Sequence, residues 1–246
     1  MDIKLQQKIE QLLAEHQGER IISFDFSGRK YWLKQPEQLH GRMRLLKSHP
    51  ESALEHETEQ LQQLAQHSAP VPEIIYAEHG CLVLEDAGPT LKQWISRHDI
   101  SIAMRRQILL DSAEALAKLH QLGLAHGRPA LRDISWQQGK VKFIDFEATA
   151  SNKGLPYQHM RDLLVYIHSL YRYLGPKNAL IAEVIAKYRQ SGGEHIWQQC
   201  RTFLSSWQWL YYLLKPFRHS AGRDIKPIFW LLRHFRQAPE SLYVTA

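Results

Sequence analysis

Three charged residues occupy positions where an apolar stretch ends or the next helix begins. Lys34 follows Tyr31-Trp32-Leu33, Glu57 falls on the next helical stretch, and Asp145 closes Val141-Lys142-Phe143-Ile144. A charge at the end of a buried strand is costly unless it is paired or bound to a cation. A Lys34–Glu57 pair and a metal-bound Asp145 would each remove that cost. A further carboxylate, Asp133, precedes Asp145 by twelve residues, across a loop and one strand. Two carboxylates so placed can converge on a hard divalent cation. Mg²⁺ in particular takes a few carboxylates together with phosphate oxygens and water.

The elements that must hold these groups follow from periodicity and turn residues. Helical spacing runs over residues 3–14. Residues 21–26 and 30–33 read as strands joined by Ser27-Gly28, a hairpin, with Lys34 at its close. A polar segment over 35–51, basic in its middle, reads as a loop or a short added helix. A helix over 53–66 stops before Pro70 and Pro72, and its acidic face offers Glu55 as a rival to Glu57. Short strands at 74–76 and 81–84 flank His79-Gly80, and Glu85-Asp86-Ala87-Gly88-Pro89 breaks the pattern as a connector. The clearest helix is 102–122, ended by Gly123. A loop from Ala125, one strand at 141–144 and a long helical remainder complete the chain. This order predicts an α+β, bilobal fold in one domain over 1–246. A strand-rich N-terminal lobe ends near residue 86, and a mostly helical lobe runs from 87 to the end.

The chain has 246 residues, of which 44% are hydrophobic and 23% charged, enough for a sizeable buried core and too apolar for disorder. No apolar run approaches the roughly 18 residues of a spanning helix, and the N-terminus lacks a signal-peptide pattern. Cys81 and Cys200 are too few for a disulfide framework or a zinc site. A reducing, cytoplasmic setting is the expectation.

Taken together, these residues resemble a protein-kinase-like superfamily, in particular the bacterial lipopolysaccharide-core and Kdo kinase group. The resemblance covers about residues 20–170. It implies that Lys34 orients the ATP phosphates with Glu57 as its helix partner. Leu84-Glu85-Asp86-Ala87-Gly88 would meet the adenine as a hinge, with Glu85 and Ala87 as the cofactor-binding positions. His126 resembles the head of the catalytic loop, hydrogen-bonding the loop backbone, and Asp145-Phe146-Glu147 resembles Asp-Phe-Gly, with the Asp on Mg²⁺. Asp162, in Met160-Arg161-Asp162-Leu163-Leu164, resembles the buried helix Asp that anchors the catalytic loop. A surface pair with Arg161 is the other reading.

Two departures from the pattern matter. The family's loop reads His-x-Asp-x-x-x-x-Asn; counted from His126, the base position holds Arg128 and the Asn position holds Asp133. Asp133 is then a second metal ligand. A shifted register would make it the base instead, but the spacing to Asp145 favours the metal. An ion pair to Arg128 or Arg132 is a third role open to it. Arg128 can bind an anionic acceptor or the transferring phosphate. The other departure is the β-turn Phe24-Asp25-Phe26-Ser27-Gly28, which offers a single glycine where a phosphate-covering loop has several.

The resemblance implies an ATP- and Mg²⁺-dependent phosphotransferase acting on a sugar hydroxyl of a glycolipid or related acceptor. Arg128, Asp133 and His126 form its catalytic loop. The alternative is a nucleotide-binding pseudokinase that serves as a regulatory module. The net charge of +6 is concentrated after residue 200, where seven Lys/Arg face Asp224 and Glu240 alone. Aromatic residues interleave with these charges. The segment reads either as a face for the inner membrane surface or as a helical core with a basic wet side. No nucleic-acid motif accompanies it, and no nucleic-acid partner is expected.

Overall fold

The computed structural model describes residues 2–36, 50–78, 80–146, 153–176, 179–217, 222 and 225–237. Most of the basic segment at 35–51, and Glu147 of the Asp-Phe-Glu stretch, lie outside the described residues. The chain divides into two compact units between Ala87 and Gly88, inside the connector that the sequence marks.

In the N-terminal unit, α1 (Ile3–Glu15) is capped by the Asp2 carboxylate, which accepts from Lys4 N–H at 2.9 Å. Strands β1 (Ile21–Phe26) and β2 (Arg29–Lys34) pair in antiparallel register, Ile21 opposite Lys34. Ser27 (φ 50°) and Gly28 (φ 75°) both adopt the left-handed conformation that a tight two-residue hairpin turn requires. After α2 (Pro50–Gln66) come β3 (Ile74–Glu78) and β4 (Cys81–Glu85), which complete a sheet of order β1-β2-β4-β3. Leu5, Ile9 and Leu12 of α1 cluster with Ile22 and Phe24 of β1, Tyr31 and Leu33 of β2, and Val83 of β4. Side chains alternate along a strand, so Trp32 and Lys34 face away from that cluster. α2 packs on β3 and β4 and carries Glu57 towards Lys34.

The C-terminal unit opens with α3 (Leu91–Ser96), started by a capping box between Thr90 and Gln93. α4 (Ile102–Gln121) buries Ile108, Leu109, Ala113, Leu116 and Leu119 at helical spacing. A hairpin follows, β5 (Ile134–Gln137) and β6 (Lys140–Phe143), turned by Gln138 (φ 51°) and Gly139 (φ 80°). The sequence reading missed β5 and placed its partner one residue late. Glutamine is an unusual occupant of a left-handed turn position, so no Asn-Gly signal announces the hairpin.

The rest of the described chain is helical: α5 (Leu155–Leu174), α6 (Leu180–Tyr188), α7 (Glu194–Ser205), α8 (Gln208–Leu214) and α9 (Ile225–Gln237). A kink at Arg189–Gly193, with Gly192 at φ 104°, joins α6 to α7. The two units give the α+β arrangement of a protein-kinase-like fold, strand-rich first and helical second.

Candidate active site

In the N-terminal unit, Lys34 closes β2 and its Nζ donates to Glu57 Oε1 at 2.5 Å. Both side chains are largely buried, whereas the rival Glu55 is exposed. The Lys34 ammonium carries three donor hydrogens, and Glu57 fixes the direction in which it points. At the end of β4 the connector is pinned on both sides. Glu85 N–H donates to Glu73 C=O (3.0 Å) and Asp86 N–H to Lys30 C=O (2.9 Å). The Asp86 carboxylate accepts from Trp32 Nε1 at 2.5 Å, and the Glu85 carboxylate lies 3.9 Å from Arg29. Among the described residues the N–H and C=O of Ala87 have no hydrogen-bond partner. These half-buried backbone groups suit the polar edge of a planar base.

In the C-terminal unit the missed hairpin explains the spacing of the two carboxylates. Asp133 immediately precedes β5 and Asp145 lies two residues past β6, so strand pairing brings both to one end of the hairpin. Ile144 N–H donates to Asp133 C=O at 3.0 Å and locks that end. Asp145 is exposed and holds φ 55°, a conformation uncommon for a residue other than glycine. The expectation of a charge closing a buried strand is therefore corrected. The strand ends at Phe143, and the chain turns out of the sheet before Asp145, which keeps the carboxylate in water. An uncommon backbone conformation of this kind often marks a functional position.

Asp133 is buried, and two arginines approach it: Arg132 Nε stands 3.4 Å from Oδ1 and Arg128 Nε 3.9 Å from Oδ2. Oδ2 accepts no hydrogen bond among the described residues. Burial pushes the Asp133 carboxyl above its usual range; the arginines oppose this, and the negative charge of Asp145 reinforces it. A buried oxygen without a donor, beside a second carboxylate, fits a site for a hard cation completed by phosphate oxygens and water. Arg132 was not among the expected site residues. Its position in the loop gives no signal apart from adjacency to Asp133.

The loop that carries Arg128 and Asp133 is held from below by α5. Asp162 is fully buried, and its carboxylate accepts from His126 N–H (2.6 Å) and Gly127 N–H (2.9 Å). The reading of Asp162 as a surface partner of Arg161 is thereby excluded. His120 Nε2 lies 3.4 Å from the same carboxylate, and its Nδ1 contacts Tyr188 Oη at 2.8 Å.

His126 itself is buried. Its Nδ1 accepts from Arg128 N–H (3.3 Å), so its Nε2 donates to Ile144 C=O (3.1 Å). The ring stacks on Phe146 at 4.5 Å. Burial lowers its pKa, with nearby carboxylates opposing, and the ring is a neutral brace. His126 thus acts as a positioning residue that ties the Arg128 loop to the Asp145 turn. Nothing in the chain's pattern pointed to His120 or Tyr188 as supports, beyond a histidine on an otherwise apolar helix face.

A strand-rich unit with a paired strand-end lysine, followed by a helical unit with an anchored loop and two clustered carboxylates, defines the kinase-like class. The chain belongs to the phosphotransferase enzyme family (APH), which it matches over residues 19–186. It is also similar to a Haemophilus influenzae protein described only as uncharacterized, with 39% identity over 230 residues, 94% of this chain and 95% of that one. Family membership makes the chain a kinase-like phosphotransferase.

Proposed function

We propose that the chain transfers the γ-phosphoryl group of ATP to a hydroxyl of a sugar-containing acceptor, a glycolipid of the lipopolysaccharide type being the leading candidate. The observation that carries the reading is the buried, donor-less Oδ2 of Asp133 grouped with Asp145. A divalent cation there would neutralise phosphate charge, and Asp133 and Asp145 would hold it. Lys34, oriented by Glu57, would bind the nucleotide phosphates. The backbone at Glu85–Ala87 would take the adenine, chiefly through Ala87.

In the transfer the acceptor oxygen bonds to the γ-phosphorus as its bond to the β–γ bridging oxygen breaks. The hydroxyl proton leaves to solvent or to a phosphate oxygen. Arg128 stands where relatives of this pattern carry a base, so it offers positive charge to the acceptor or the transferring group and accepts no proton. Base assistance is typically worth 10²–10⁴-fold, whereas positioning and charge stabilisation dominate phosphoryl transfer. An acceptor held in a bilayer would place the protein at the inner face of the membrane. Among the described residues no helix is long and apolar enough to cross one.

A melting-point titration with ATP, with and without Mg²⁺, tests the reading on the wild type and on Asp145→Asn. A ligand that binds only the folded state raises the melting point. The expected result is a Mg²⁺-dependent rise that Asp145→Asn removes. No rise at saturating ATP would reject the proposal.

A further inference from the structure

We infer that the exposed aromatic strip along α8 and its flanks is a docking surface for an anionic lipid bilayer. α8 buries none of its residues, although six of its seven are aromatic or aliphatic. Trp209, Tyr212 and Leu213 stand at i, i+3 and i+4, and Phe217 extends the line into the next turn, Lys215–Phe217. Such a stripe normally faces a core. Here Trp207, Trp209, Tyr212, Leu213 and Phe217 are each at least 42% exposed. An apolar patch of this kind marks an interaction surface.

The strip is held in place from behind. Tyr211 stacks on Phe229 of α9 at 5.0 Å, and Arg236 Nη1 donates to Tyr212 Oη at 2.5 Å. The apolar surface also continues past α8. Phe203 lies 6.2 Å from Trp207 and is a wall of an open cavity of about 270 Å³ that Met160, Leu164 and Leu231 help to line.

Charge decides what covers the strip. The described residues from 201 to 237 include Lys215, Lys226, Arg233 and Arg236 and no acidic residue. Over the whole segment from 201 to the end, seven basic residues face two acidic ones. Trp and Tyr with an apolar body and a polar tip, flanked by cations, suit the headgroup level of an anionic leaflet. The inference does not depend on the acceptor or on ATP binding.

The test is co-sedimentation of the full chain, without nucleotide, with vesicles of phosphatidylcholine alone and of phosphatidylcholine plus phosphatidylglycerol. The expected result is binding to the phosphatidylglycerol vesicles that weakens with added salt and is much weaker on phosphatidylcholine. Trp209→Ala with Leu213→Ala should weaken it roughly tenfold or more. Lys215→Ala and Lys226→Ala should each weaken it about fivefold on the anionic vesicles only. Lys215 is exposed, so its variant remains decisive if the aromatic pair lowers the melting point. Absence of binding to anionic vesicles would overturn the inference. So would binding unchanged by both sets of variants, or a dimer that Trp209→Ala dissolves in a protein that ignores vesicles.

Discussion

Lys34 and Asp162 are both charges that shape a site, and the two units handle them differently. In the N-terminal unit the Lys34–Glu57 pair is long-armed and keeps partial contact with water. It bridges a strand end and a helix, and its value lies in aiming an ammonium group. In the C-terminal unit Asp162 is sealed from solvent and accepts from two backbone N–H groups, with His120 at 3.4 Å. There the polar group fixes the path of a loop. The difference teaches that a half-buried pair can aim a charge outward, as proposed for Lys34, whereas a sealed carboxylate such as Asp162 serves its own backbone. Damage to the two should therefore appear in different measurements.

The largest effect is expected at Asp162. Asp162→Ala leaves two buried N–H groups without an acceptor and should cost about 3–5 kcal/mol of stability, read by denaturant unfolding. Residue-resolved hydrogen exchange should place the loss in the C-terminal unit. An equal loss in both units would break the comparison.

Acid should act on the same unit. His159, stacked at 4.4 Å on His120 and bonded to Leu124 C=O at 2.9 Å, has its pKa lowered to about 4, by burial first and by the neighbouring His120 second. An unfolded histidine titrates near 6.5. Between those values the unfolded chain binds a proton that the folded chain refuses, so stability is full above about pH 6.5 and falls towards pH 4. The contribution of His159 is up to about 3 kcal/mol, and burial of His126 adds in the same direction. Unfolding midpoints across that range check the sign.

A smaller loss is expected from Gly193→Ala. A Cβ there would be driven into the buried Tyr188 ring, whose hydroxyl contacts His120. Overpacking of this kind costs about 1–3 kcal/mol and should be visible as a lowered melting point. Lys34→Ala leaves the largely buried Glu57 without its partner and should cost about 1–3 kcal/mol, yet its main effect should be to abolish the ATP-induced rise in melting point. A large stability loss at Lys34 with ATP binding intact would reverse the contrast.

The two units were also unequally legible in the sequence. The β1–β2 hairpin, α2 and the α4 helix stand out because strong periodicity coincides with Gly or Pro breaks. The positions of Lys34, Glu57, Asp133 and Asp145 followed from order and spacing. The β5–β6 hairpin did not show, because four-residue strands joined through Gln138-Gly139 give little pattern, and with it went the reason why Asp133 and Asp145 share one end. The exposure of Asp145 was hidden for the same cause. The aromatic segment after residue 200 carried two readings, and the structure shows a mixture of buried and exposed rings. Phe229 and Phe235 are core, while Trp207, Trp209 and Phe217 face water. Sequence spacing alone does not separate those sets, because α8 and α9 are both apolar at helical period.

The left-handed backbone of Asp145 bears on how the protein should be disabled. Alanine at φ 55° carries a conformational penalty of about 1–2 kcal/mol, so an inactive Asp145→Ala protein would confuse a missing carboxylate with a displaced turn. Asparagine accepts that conformation nearly as readily as aspartate, and glycine accepts it freely. The pair Asp145→Asn and Asp145→Gly therefore makes the cleaner knockout, and any phenotype they share can be assigned to charge.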